Sequence, residues 1–176
     1  MMQNKIVITG LMGSGKSTVA RFLKKRGERV FFADEDAKNL IEGELRDEIL
    51  SLSGGEDYKN IFFHDLKLKK NIEKIVYSRL YQDYASSSGG YYEIPLYFES
   101  QNIAKEQGFI PDKIIYIYTD ESHRLERLKT NRNITIEDIK RRDSFFMDPA
   151  KAILLSDVII KNNGSTKDLI EKVKLL

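Results

Sequence analysis

The sequence predicts an α/β fold of three layers, with a five-stranded parallel sheet between helices, a helical insert and an arginine-rich segment late in the chain. Three observations predict it. The short β-branched run 6–9 (IVIT) passes into Gly10, four more residues and Gly15-Lys16-Ser17, a glycine loop between a strand and a helix. Further β-type runs recur at 29–33, 91–95, 113–119 and 158–161, with helical periodicity between them, the alternation that builds a parallel sheet with crossover helices. Residues 38–90 break that alternation with apolar positions at helical spacing, and end in Ser86-Ser87-Ser88-Gly89-Gly90, which reads as a flexible linker back to the sheet.

The first run and its loop carry the chemistry. Gly-x-x-x-x-Gly-Lys-Ser between a strand and a helix is the phosphate-loop (P-loop) pattern, so the architecture expected is the P-loop three-layer fold. Glycines at 10, 13 and 15 let backbone N–H groups curl around an anion with no Cβ in the way. Lys16 supplies a point charge to the β- and γ-phosphates, and the Ser17 hydroxyl suits a Mg²⁺ ligand. The helix beginning here aims its free N–H groups and positive dipole end at the same phosphates. Gly13, Ser14, Gly15, Lys16, Ser17 and Thr18 are therefore the candidate binding residues for a nucleoside triphosphate, with ATP and Mg²⁺ as the implied ligands.

The remaining elements follow in order. A helix over 16–26 has Val19, Phe22 and Leu23 at helical spacing and stops at Gly27. The second strand, 29–33, runs into Asp34, Glu35 and Asp36, and ligands of open α/β sheets sit beyond the carboxyl ends of strands. Asp36 is the expected cap of the next helix, and Asp34 stands where a general base or metal-shell carboxylate would. The insert holds a short helix at 46–52 and a longer one at 66–85, with Lys67, Lys69, Lys70 and Lys74 on and around the latter; a solvated face is the first reading of these lysines and an anion site the second. On the third strand, Glu93 fits both a water-mediated Mg²⁺ contact and an ordinary strand-end acid.

A fourth strand over 113–119 precedes a helix over 122–130 carrying Arg124 and Arg127. Arg132, Lys140, Arg141 and Arg142 follow, with Thr135-x-x-Asp138 resembling a capping box. Arginines on a mobile helical pair suit a lid that answers charge on a transferring phosphoryl group and excludes water; a solvated face ranks second and an RNA-binding patch third. The fifth strand, 158–161, turns through Asn162-Asn163-Gly164 into a closing helix over 165–176.

Composition narrows the classes. With 176 residues, 41% hydrophobic and 32% charged, the chain reads as one globular domain. A net charge of +2 is too mild to argue for nucleic acid. No cysteine is present, which removes thiolate metal sites and thiol nucleophiles and suits a reducing cytoplasm. No apolar run approaches a membrane span and the N-terminal run is too short for a signal peptide, so a cytoplasmic protein without a membrane partner is expected. His64 and His123, the two histidines, lack partners at the spacing of a zinc site or hydrolase triad. A guanine-reading Asn-Lys-x-Asp is missing from Ile160-Lys161-Asn162-Asn163, which favours a small-molecule kinase over a switch GTPase.

At this point the chain resembles the dephospho-coenzyme A kinase family over nearly its whole length. ITGLMGSGKSTVA is close to that family's loop, and Phe32-Ala33-Asp34-Glu35-Asp36-Ala37-Lys38 looks like its Asp-Ala-Asp-x-x-Ala-Arg motif. Glu93-Ile94-Pro95-Leu96-Tyr97-Phe98-Glu99-Ser100 is similar to its Pro-Leu-Leu-Phe-Glu segment, and Ser156-Asp157-Val158-Ile159-Ile160-Lys161-Asn162 resembles its Ala-Asp-x-x-Ile-x-Asn ending. The resemblance implies transfer of the ATP γ-phosphate to the ribose 3′-hydroxyl of dephospho-CoA. It makes Asp34, Lys16 and Arg142 the catalytic residues and adds Arg132 and Asn162 to the ATP-binding set. It also assigns Asp34, Lys38, Pro95, Leu96 and Glu99 to the acceptor and Ser17 to the metal. The implied division is a core (1–37, 91–120, 156–176), a helical acceptor-binding insert (38–90) and a lid (121–155), in a monomer or weak homo-oligomer. Departures are Phe32 for the first aspartate, Lys38 for the arginine, Tyr77-Ser78 for His-Pro, Phe146 at the lid glutamine, a shorter insert before Phe62, and the second lid arginine displaced by one residue to Arg132. A kinase for another small hydroxyl acceptor (a nucleoside, nucleotide or sugar) and a non-catalytic nucleotide-responsive protein are the alternatives.

Overall fold

In a computed structural model, residues 4–55, 65–132 and 134–175 are described, with the side chains of 66, 131 and 132 left aside. The strands are β1 (Lys5–Thr9), β2 (Val30–Phe32), β3 (Gly90–Glu93), β4 (Lys113–Tyr118) and β5 (Val158–Lys161). They form one sheet in the order β2-β3-β1-β4-β5, every pair parallel, so the expected five-stranded parallel sheet is present. Helices among the described residues are α1 (Lys16–Lys25), α2 (Ala33–Glu42), α3 (Arg46–Leu52), α4 (Leu66–Ser86), α5 (Tyr97–Glu106), α6 (Glu121–Arg132), α7 (Ile136–Asp143), α8 (Pro149–Leu154) and α9 (Thr166–Val173).

The chain forms two compact units. The first comprises Met1–Phe32, Ser88–Glu99 and Pro111–Leu176 and holds the whole sheet. Its core joins Ile8, Ile115, Ile117 and Ile160 of the strands to Val19 and Leu23 of α1 and Leu169 and Val173 of α9, all buried. Central strands covered on both faces read as continuous β-branched runs, which is why β1 and β4 stand out in the sequence. The second unit comprises Ala33–Ser87 and Ser100–Ile110. Leu45, Ile49, Ile72 and Val76 pack there in one cluster. Tyr81 and Phe109 stack at 5.4 Å, and the Tyr81 hydroxyl lies 2.6 Å from Ser100 Oγ, so a fully buried phenol keeps a polar partner.

Three local expectations are corrected. The second helix begins at Ala33, not near Asp36, because β2 stops at Phe32 and the three acids suit the first helical turn. Asp36 is therefore no cap; its carboxylate accepts from the Tyr84 hydroxyl at 2.7 Å. The serine–glycine stretch is hydrogen-bonded rather than loose. Ser87 Oγ donates to the Tyr84 carbonyl at 2.8 Å, Arg29 donates to Ser88 Oγ, and Gly90 N donates to the Asn4 carbonyl at 3.0 Å. Gly90 has φ +137°, and a Cβ there would stand 2.7 Å from the Arg29 carbonyl oxygen, so only glycine lets β3 start beside that backbone. At Thr135 the cap is one-sided. Its hydroxyl accepts from Asp138 N at 3.1 Å, while the Asp138 carboxylate bonds that hydroxyl and Arg141 rather than returning to the backbone.

The full capping box lies at α9, between Ser165 and Asp168. Hydrogen bonds from the Ser165 hydroxyl and backbone N–H hold the Asp168 carboxyl below its ordinary range. A depressed carboxyl contributes stability above its unfolded pKa of about 3.9 and loses it as pH falls through the folded value. Asp168→Asn keeps an acceptor and removes the charge, so its melting temperature should lie below that of the parent at pH 7, with the gap closing below about pH 4 in a series of thermal melts.

Candidate active site

The site is built where β1 ends. Thr9 leads into the loop, and α1 starts at Lys16 with Gly15 as its cap in the left-handed region, φ +104°. A Cβ at Gly15 would stand 2.5 Å from Asn162 Nδ2, so the glycine is required both by its backbone angle and by the close approach of β5's end. Behind the loop, the Ser14 carbonyl accepts from Asn162 Nδ2 at 2.7 Å and from the Thr119 hydroxyl at 3.0 Å. Asn162 N in turn donates to the Tyr118 carbonyl at 2.7 Å. Thr119 and Asn162 each follow the last residue of a strand, β4 and β5, and each is 5% exposed. The loop thus rests on a buried polar brace built from strand ends.

Inside the loop, Lys16 is buried and its Nζ donates to the Leu11 carbonyl at 3.0 Å. Ser17 Oγ donates to Glu93 Oε1 at 3.0 Å, and Glu93 is 5% exposed at the end of β3. The parallel register pairing Ile8 with Glu93 sets the end of β3 level with the end of β1, from which the loop and α1 follow. Thr18 N donates to the Gly15 carbonyl at 3.1 Å, closing the first turn of α1.

These residues fit the ligands that they imply. Ser14 Oγ is buried without a partner, an orphaned donor in the loop that a phosphate oxygen would satisfy. Ser17 and Glu93 offer hard oxygen donors to a divalent cation. No group of three or more His, Cys, Asp or Glu able to hold a metal occurs among the described residues.

Beside the loop a small, half-open pocket is lined by Thr9, Gly10, Leu11, Pro95, Phe98, Glu99, Tyr116, Phe146, Met147 and Ala152. Pro95 and Glu99 thus face the same space; Leu96 is not among the lining residues. Thr9 Oγ1 donates to the Pro95 carbonyl at 3.1 Å, fixing that wall to β1. The Glu99 carboxylate accepts the Met147 backbone N–H, which ties α5's start to the segment after α7. Burial pushes the Tyr116 hydroxyl up to about 12, so it stays a neutral donor.

The remaining expected residues are carried by α2, α6 and α7. Asp34 is exposed in the first turn of α2, two residues past the end of β2, and Lys38 is exposed on the same helix, 3.9 Å from Glu42. Arg142 is exposed near the end of α7. Arg132 closes α6, with its side chain outside the described residues, as is His64. Two residues went unassigned in the sequence. Thr119 passed as the end of a strand. Arg124, 3% exposed, was named in the sequence only as an arginine of its helix, although its one-turn spacing to Leu128 marks a shared buried face.

A parallel sheet headed by this loop, with the loop braced at its strand ends, defines a P-loop kinase fold. Solved structures share it: TT1252 from Thermus thermophilus (24% identity, TM-score 0.80, 99% of this chain and 96% of that one) and a shikimate kinase from Acinetobacter baumannii (18%, TM-score 0.62, 97% and 90%). Within that class the chain belongs to the dephospho-CoA kinase family, whose family model matches residues 5–168. Dephospho-CoA kinases of Fusobacterium nucleatum (28% identity, 96% of this chain and 94% of the relative) and Helicobacter pylori strain 26695 (27%, 99% and 96%) are similar along their whole length.

The brace predicts a binding effect. Asn162→Ala removes one donor from the Ser14 carbonyl, and a lost buried hydrogen bond costs about 1–2 kcal/mol. ATP should bind roughly 5- to 30-fold more weakly by calorimetry with a non-hydrolysable analogue, the fold otherwise holding.

Proposed function

We propose that this chain transfers the γ-phosphoryl group of ATP to the ribose 3′-hydroxyl of dephospho-CoA, giving coenzyme A and ADP in the final step of coenzyme A biosynthesis. The observation that carries the reading is an intact, braced phosphate loop at the head of a chain matched by the dephospho-CoA kinase model over residues 5–168.

The roles follow from the chemistry. Gly13, Ser14, Gly15 and Thr18 give backbone and hydroxyl donors to the triphosphate, and Lys16 exchanges the Leu11 carbonyl for phosphate oxygens. Ser17 would hold Mg²⁺, with Glu93 behind a water; the 3.0 Å spacing of their oxygens supports this. That ion, when bound, offsets charge on the phosphates. Asp34 orients the acceptor hydroxyl and takes its proton, a role supported by its place just past β2. Arg142 and Arg132 stabilise the charge that spreads over the transferring group, and Asn162 serves ATP through the Ser14 carbonyl. Lys38, Pro95, Leu96 and Glu99 contact the acceptor, and the pocket containing Pro95 and Glu99 supports their grouping.

In this reading 38–90 is the acceptor-binding insert and 121–155 the lid. Among the described residues no helix is long and apolar enough to cross a membrane. The reading includes a cytoplasmic monomer or weak homo-oligomer with no nucleic-acid partner.

The test is ADP release with dephospho-CoA, run beside Asp34→Asn. The parent should turn over, and the variant should bind ATP within about 3-fold while losing roughly 10²- to 10⁴-fold in kcat, the scale for a positioned acid–base group. Wild-type ADP release indifferent to dephospho-CoA, but stimulated by another alcohol, would reassign the acceptor.

A further inference from the structure

Arg124 is the buried cation that the roles above leave unused. It lies on α6 at 3% exposure, and its guanidinium meets the Asp143 carboxylate as a fork, Nη1 donating to Oδ1 at 3.0 Å and Nη2 to Oδ2. Nη1 also lies 3.3 Å from the Met12 carbonyl, within the phosphate loop. One turn further along α6, Leu128 packs beneath the next loop residue, its Cγ 2.8 Å from where a Cβ of Gly13 would stand. A single helix face therefore touches the loop at two successive residues and holds the end of α7 with the same arginine.

Asp143 is the last residue of α7. A carboxylate there opposes the helix dipole, so its placement answers Arg124 and not α7's own preference. Ile139, one turn earlier, is fully buried. Ile139 and Asp143 together set the rotation of α7, and Arg142, the neighbour of Asp143, leaves the helix about 100° round from it. Fixing Asp143 fixes the direction in which Arg142 starts.

We propose that Arg124 and Asp143 are positioning residues that join the phosphate loop to the end of the lid helix, so that the loop's conformation and the aim of Arg142 are set together. Replacing a buried ion pair by well-packed apolar residues is often neutral for stability, so what this pair contributes is orientation. The inference rests on Arg142 acting in catalysis as proposed above.

The test measures kcat and KM for ATP in Asp143→Asn, in the double variant Arg124→Met/Asp143→Leu, in Arg142→Ala, and in each of the first two combined with Arg142→Ala. Asp143→Asn should lower kcat roughly 10- to 100-fold, the scale of a misaimed catalytic group, with KM for ATP within about 3-fold. In the Arg142→Ala background the same change should cost less than about 2-fold further, because the loss acts through that arginine. The double variant should melt cooperatively and show the same loss and the same coupling. Additive losses, wild-type kcat in a folded double variant, or failure of both Asp143 variants to melt cooperatively would each overturn the inference. An inert Arg142→Ala would overturn it together with the role given to Arg142, whereas additive losses leave that role standing.

Discussion

The Ser14 carbonyl, held by the Asn162 amide and the Thr119 hydroxyl, is the contact on which the phosphate loop depends. A glycine loop alone is conformationally costly to order. Here the cost is offset by two buried donors: the Asn162 amide bonds the Ser14 carbonyl directly, and the Thr119 hydroxyl lies within bonding distance of both the Ser14 and Asn162 carbonyls. The loop's shape is thereby tied to the ends of β4 and β5 and, through them, to the apolar core.

The sheet makes that arrangement possible. Parallel pairing places the carboxyl ends of β1, β3, β4 and β5 along one edge, and Thr9, Glu93, Thr119 and Asn162 all stand at or just past those ends. Each has a polar partner there: Pro95 for Thr9, Ser17 for Glu93, and Ser14 for the other two. The interior supplies rigidity and the edge supplies chemistry, as the geometry of open α/β sheets dictates.

Most of the architecture was legible in the sequence because strands buried on both faces leave continuous β-branched runs and the loop has a fixed pattern. The closing helix after Asn162-Asn163-Gly164 was equally plain. What escaped is long-range. Asn162 bonds a carbonyl 148 positions away, and no local pattern distinguishes a side chain that touches nucleotide from one that holds the loop behind it. Arg124 escaped because composition places cations at the surface; its only local clues were Leu128 one turn on and an acid at the wrong end of α7. The start of α2 was misjudged because three acids after a strand read as a capped turn as readily as a first helical turn.

Identifying the product puts the central claim to the most direct test. Phosphorus NMR on wild-type protein with ATP and dephospho-CoA should show one new phosphomonoester on the ribose 3′-carbon, coupled to the 3′-proton and formed in step with ADP. ADP accompanied only by inorganic phosphate, or a new ester at any other hydroxyl, would contradict the account.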